Sequence, residues 1–165
     1  MLLRSPLRSP RLLLTAVTVL GVALSPLTAA AASDAAPASD SHLRLAVGQP
    51  QPAPAGGDTS VAGFVVNDGP EATANPFTVT FEFPRESFAV PPFYPSSCRP
   101  GMGGHSVSCD FPAGLKPGGT VTAVVPVRIR DGNPPGTVMT GEVTVTSPDD
   151  PAPANNNAPF TITVA

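Results

Sequence analysis

The sequence predicts an all-β, immunoglobulin-like Greek-key sandwich of about seven strands, preceded by a cleavable signal peptide. Three observations predict it. From Leu43 onward apolar residues recur at every second position. Past the N-terminus no stretch keeps the i, i+3, i+4, i+7 spacing of an amphipathic helix. Clusters of Pro, Gly, Asn and Asp separate the alternating runs.

The N-terminus sets the domain organisation. Arg4, Arg8 and Arg11 form a basic region, an apolar run from Leu12 to Leu27 follows, and Ala30 and Ala32 supply the small residues of a cleavage site. The run is short for a membrane span and is broken by Pro26. The expected organisation is a signal peptide over 1–32, a flexible Ala/Ser/Asp/Pro leader over 33–42 and a sandwich over 43–165. No Cys near the cleavage site offers a lipid acceptor, no Arg-Arg pair marks a twin-arginine route, and Phe160–Ala165 is too short for a membrane tail, so a secreted, released protein is expected.

Cleavage after Ala32 leaves 133 residues, and loss of three Arg takes the net charge from −3 to about −6. An acidic chain of this kind disfavours nucleic acid and anionic membranes as partners. Its length suffices for one core. Eight Arg against one Lys, with abundant Ala, Pro and Gly, fits the coding bias of a GC-rich, actinobacterial genome.

The strands are read in order. Leu43, Leu45 and Val47 alternate with Arg44 and Ala46, and the Pro- and Gly-rich stretch 49–57 reads as a loop. Val61–Val66 is a continuous apolar run, stopped by Asn67-Asp68-Gly69-Pro70. Phe77, Val79, Phe81 and Phe83 share one face of the clearest strand, bracketed by Pro76 and Pro84. Val107, Cys109 and Phe111 share a face of the next, and Leu115-Lys116-Pro117-Gly118-Gly119 is a turn. Val121, Ala123, Val125, Val127 and Ile129 line a long strand whose Pro126 requires an edge position or a bulge. Met139, Val143 and Val145, with Gly141 between them, and then Phe160, Ile162 and Val164, complete the inward set.

Cys98 and Cys109 are the only cysteines of a chain bound for an oxidising compartment, with turn-forming residues between them. They are expected to form one structural disulfide across a hairpin, worth roughly 3 kcal/mol in the chain-entropy model. No C-x-x-C spacing or His–Cys ligand set favours a redox or metal pair.

At this point the chain resembles the immunoglobulin-like domain of bacterial surface and secreted proteins known as domain of unknown function 11. The resemblance lies in the order of Asn67-Asp68-Gly69-Pro70, Phe77-Thr78-Val79-Thr80, Leu115-Lys116-Pro117-Gly118-Gly119, and Asp150-Pro151 with Asn155-Asn156 before the last strand. It covers about Leu43 to Val164. It implies a sandwich with a spacer, adhesive or envelope role and no catalytic residues.

Candidate sites are few. His42 and His105 lie in no His-x-x-x-His or Glu-x-x-His pattern, and adjacent His105 and Ser106 on a strand point to opposite faces, so no nucleophilic pair is expected. Asp149, Asp150 and Asn155, with Asn156, Asn157 and Asp68, offer oxygen ligands of the kind Ca²⁺ takes; equally, Asp, Asn and Pro build tight turns, and the turn reading is preferred. Phe88, Phe93 and Tyr94 lie among prolines and form a candidate interaction surface, against a preferred reading in which Phe88, Val90 and Phe93 cap the core. The expected function is a secreted, non-catalytic structural or interaction module, no enzyme and without a cofactor, its partner a protein or the cell wall. The alternatives are a carbohydrate-binding module, which this chain approaches with no Trp and one Tyr, and a protease inhibitor presenting Tyr94–Met102, where Pro100 follows Arg99.

Overall fold

The computed structural model describes residues 36–151 and 153–165. The signal-peptide reading falls on residues 1–32 and lies outside the described residues. Nine strands form: β1 (Leu43–Gly48), β2 (Asp58–Asn67), β3 (Phe77–Glu82), β4 (Ser87–Ala89), β5 (Cys98–Pro100), β6 (Ser106–Phe111), β7 (Thr120–Ile129), β8 (Val138–Thr146) and β9 (Asn157–Thr163). They make two antiparallel sheets, a four-stranded one in the order β1-β2-β7-β4 and a five-stranded one in the order β5-β6-β3-β8-β9.

The fold is the expected sandwich, and the strands beyond about seven are β4 and β5. At three residues each, they are too short for an alternation to register. Between the sheets lie Leu43, Leu45, Val61 and Val65 from one side and Phe77, Val79, Phe81, Val107, Val143, Phe160 and Ile162 from the other. Phe77 stacks on Phe111 at 5.3 Å and Phe83 meets Phe160 edge-on at 5.7 Å. A methyl group at Gly63 would sit 3.2 Å from Phe81 Cζ, so the Phe81 ring lies directly against the opposite sheet. Gly141 stands opposite Phe160 because any Cβ there would collide with that ring and with the Glu82 carbonyl.

Pro126 is accommodated on the side of β7 where pairing with β4 has ended. Its carbonyl accepts from Val90, and the chain next rejoins β7 only at the Tyr94–Val124 bridge. The ring therefore displaces no ladder donor.

Polar side chains stitch one end of the sandwich. Asn67 is fully buried; its Oδ1 accepts from the amides of His42 and Gly69, and its Nδ2 donates to the carbonyls of Glu71 and Leu115. Thr73 Oγ1 accepts from Gly114 and Leu115. The leader expectation is corrected from Ala36 onward. Asp149 accepts from the Ser39 amide, Glu71 from the Asp40 amide, Asn75 Nδ2 donates to the Ala36 carbonyl, and Ser41 is fully buried. Hydrogen bonds at Ala36, Ser39 and Asp40 thus tie this largely exposed segment to the sandwich.

Candidate functional site

The outward positions of the four-stranded sheet form a ladder. Strand register places Arg44, Val66 and Thr120 in one row, Ala46, Phe64 and Thr122 in the next, then Gly48, Ala62 and Val124, then Ser60 and Pro126, and last Asp58, Arg128 and Phe88. Tyr94 extends the third row through its bridge to Val124. The middle three rows are apolar or small apart from Thr122 and Ser60, and two rings stand out of them: Phe64 at 37% and Tyr94 at 64% exposure.

Charge is confined to the two ends and is paired there. Arg44 Nε donates to Asp68 Oδ2 at 2.6 Å at one end. At the other, Arg128 donates twice to Asp58, Nε to Oδ1 at 2.7 Å and Nη2 to Oδ2 at 2.8 Å. Hydrogen bonding from Arg128 lowers the Asp58 pKa, and the same bonds raise that of Arg128. The pairing of Arg44 with Asp68 raises the arginine likewise. The face thus ends in fixed charges of both signs.

The sequence candidates fall apart in space. Phe88 and Tyr94 belong to this face, Phe88 half-buried with the Arg130 guanidinium 5.0 Å over its ring. Phe93 packs against the core, so of the expected trio only it has the capping role. Ala89, not Phe88, is the inward residue of β4. Cys98 and Cys109 face each other directly across β5 and β6 and are joined in a buried disulfide within one sheet.

Asp149 and Asp150 act as clasps. Asp149 Oδ1 accepts from Ser39 N at 3.2 Å and Asn75 Nδ2 at 2.7 Å, and its Oδ2 from Asn75 N at 2.7 Å. Burial, the largest single influence, works against its ionisation; the donors from Asn75, Ser39 and Ala74 together outweigh it and hold the pKa below the usual carboxylate value. Asp150 Oδ2 accepts from Leu43 N and Asn156 Nδ2. N–H donors thus engage both Asp149 oxygens and Asp150 Oδ2 in tying the loop to the sandwich, and Asn155 lies in the 3₁₀ turn Pro153–Asn155 beside them. Among the described residues no three His, Cys, Asp or Glu converge to hold a metal ion.

The histidines contact other groups. His42 Nε2 lies 3.2 Å from Asp40 Oδ1 on the surface, and Arg130 donates to His105 Nε2 at 3.4 Å. Arg99 stands in β5 opposite Ser108, with its guanidinium donating to the Ser96 and Cys98 carbonyls, so the Tyr94–Met102 stretch includes a paired strand. A shallow recess at the margin of the ladder is lined by Gly48, Gln49, Gln51, Asp58, Thr59 and Ser60. Its polar groups are largely engaged: Gln49 Oε1 accepts from Thr161, the Thr59 hydroxyl donates to Gln51 O, and Asp58 holds Arg128.

The ladder itself escaped the sequence reading. Val61–Val66 reads as a run buried on both faces, yet antiparallel sheets ordinarily turn one face to water. The signal was the apolar residues at the wrong parity: Ala62, Phe64 and Val66 on β2, Val124 and Pro126 on β7.

No family model matches the chain, and no curated protein matches it. Among solved structures it is similar to the major pilin subunit BcpA of Bacillus cereus at 7% identity and a TM-score of 0.47, over 75% of this chain and 39% of that one. It is similar to a non-cellulosomal cohesin from Archaeoglobus fulgidus at 11% identity and 0.46, over 75% and 91%. The SafD adhesin of Salmonella is a third, at 12% identity and 0.41, over 76% and 98%. The chain spans about two fifths of the pilin. Each likeness is one of sandwich architecture.

Proposed function

We propose that this chain is an exported, non-catalytic immunoglobulin-like module of the cell envelope or extracellular matrix, and that the outer face of its four-stranded sheet is where it meets a partner. The observation that carries this is the ladder: exposed rings among apolar neighbours, with Arg44 and Arg128 at its ends already paired with carboxylates. Export draws support from the basic, apolar and Ala-x-Ala segment and from the disulfide, which belongs to oxidising compartments. Among the described residues no helix is long and apolar enough to cross a membrane.

The resemblance to domain of unknown function 11 belongs to the same proposal. Its motif residues have structural work here: Asn67 ties its own turn to the Leu115–Gly119 turn, and Asp150 with Asn156 ties the last loop to β1. That accounts for such motifs recurring in sandwiches without any shared chemistry.

A photocrosslinking amino acid placed at position 64, and in a second variant at position 80 on the opposite sheet, tests the surface on cells secreting the protein. Product from position 64 and none from position 80 is expected. No product from either, or product from position 80 alone, refutes the assignment.

A further inference from the structure

We propose that the partner on this face is a second copy of the chain, the two four-stranded sheets packing face to face about a two-fold axis. The inference rests on the contact-surface reading above and names its occupant.

Charge is the first reason. The described chain carries acidic residues in excess, but this face holds both signs at each end, Arg44 with Asp68 at one and Asp58 with Arg128, beside Arg130 over the Phe88 ring, at the other. A two-fold axis lying across the strands brings one end of the ladder over the other end of its mate. Each junction then brings side chains of both signs together, and the apolar middle rows meet each other. Arg44 and Arg128 are already committed to carboxylates, which disfavours a polyanion. To a polysaccharide the middle rows offer only the hydroxyls of Ser60, Thr122 and Tyr94, among Ala46, Gly48, Ala62, Phe64, Val124 and Pro126. A surface that is apolar in the middle and of both signs at both ends is complementary to itself.

The sandwich edges are the second reason, since strand addition is the usual alternative route to self-association. The free side of β9 is covered: Ala53 bonds to the Thr163 carbonyl and accepts from Ala165, and Gln49 takes the Thr161 amide. β4 and β5 are three residues long, and on β1 the Leu43 amide is taken by Asp150. Such edges resist pairing with another chain.

Size sets the strength. From Asp58 to Val66 the ladder runs about 27 Å and across its strands about 15 Å, from ordinary strand spacings. That is roughly half the area a standard interface buries on each partner, which places the contact among the weak, transient ones.

Sedimentation velocity on protein purified from culture medium, over about 5–500 µM, provides the test. The wild-type mass should climb toward twice that of the chain. Phe64→Glu, with an unchanged circular dichroism spectrum and an intact disulfide, should weaken association at least about tenfold. Thr80→Glu on the other sheet should leave it unchanged. Should Phe64→Glu fail to fold, Val124→Glu carries the same test from the neighbouring strand. Wild type monomeric at every concentration, or a folded Phe64→Glu or Val124→Glu that still dimerises, overturns the proposal. So does a position-64 crosslink to a different molecule, which leaves the contact-surface reading standing; absence of any crosslink removes that reading itself.

Discussion

On the five-stranded sheet the outward residues are Thr78, Thr80 and Glu82 on β3, Ser106, Ser108 and Asp110 on β6, and Val138, Thr140, Glu142, Thr144 and Thr146 on β8. On the four-stranded sheet the corresponding positions hold Ala46, Gly48, Ala62, Phe64, Val66, Val124 and Pro126, with Ser60, Thr120 and Thr122 among them and Arg44, Asp58 and Arg128 at the ends. The polar face even sets Glu82 directly opposite Glu142, a like-charge pair that is mildly unfavourable for the sheet and repels a second copy of itself. On the apolar face Arg44 and Arg128 are each paired with a carboxylate. Both faces clothe one core, so stability does not explain why they differ. The run of outward apolar residues through the middle of one sheet, against single ones such as Val138 on the other, has its account in what that sheet touches.

The largest effect expected concerns what the faces share. Phe81 is fully buried and its ring lies against Gly63 of the other sheet. Phe81→Ala should destabilise the domain by about 3–5 kcal/mol, read from the guanidinium unfolding midpoint. A loss under about 1 kcal/mol would show the sheets to be separately stable, and the comparison would then be between two units rather than two surfaces of one.

Next is the disulfide, which belongs to the polar sheet alone. Replacing Cys98 and Cys109 together by Ala should cost about 2–4 kcal/mol and leave a folded domain, because β3 and β7 lie outside the closed loop. Free thiols in the native secreted protein, or an unshifted midpoint, would contradict this. Self-association should survive the change, since β5 and β6 stand in the sheet that makes no contact.

How far the sequence carried this picture depends on the length over which a pattern runs. β3, β6, β7 and β9 were legible because six to ten residues of strict alternation name both strand and inward face. β4 and β5 offer no period to read. The docking of residues 36–41 was invisible for another reason: it depends on bonds such as Ser39 to Asp149, 110 residues apart, while the local composition is that of a disordered leader. The contact face was half legible. The sequence offers Phe88, Phe93 and Tyr94 as a candidate surface but favours Phe88 as a core cap, and it hides Phe64 in an apolar run that does not say which of its two parities meets water.

The Asp149 clasp gives a pH dependence of intermediate size. Its folded pKa is depressed, so its contribution is fully present above the unfolded carboxylate value of about 4 and is lost as pH falls through the lower folded value. Hydrogen exchange at the Ser39 and Asn75 amides should therefore be slow relative to intrinsic rates at pH 6 and lose that protection in acid. Asp149→Asn should lose it at both pH values, because an amide NH₂ then faces N–H donors. Neither outer face contributes to this transition, so acid should loosen the stitched end before it alters the Phe64 surroundings. Simultaneous loss at both places would mean the clasp is not a separate element.

The smallest expected change in stability bears on the contrast most directly. Phe64→Ser removes a ring that is 37% exposed and rests over Gly48, so it should cost about 1 kcal/mol. Thr80→Val, a half-buried outward position on the polar sheet, should change stability by about 0.5 kcal/mol or less. In folding terms the two are near neighbours. They should part company in solution behaviour: Phe64→Ser raises the concentration at which the secreted protein begins to self-associate, and Thr80→Val does not move it. Equal shifts from both would mean that any change in surface hydrophobicity governs association, and the special status of the four-stranded face would be lost. A destabilisation of about 3 kcal/mol from Phe64→Ser would point the same way, because it would make that ring a core residue whose outward position has no consequence beyond the fold.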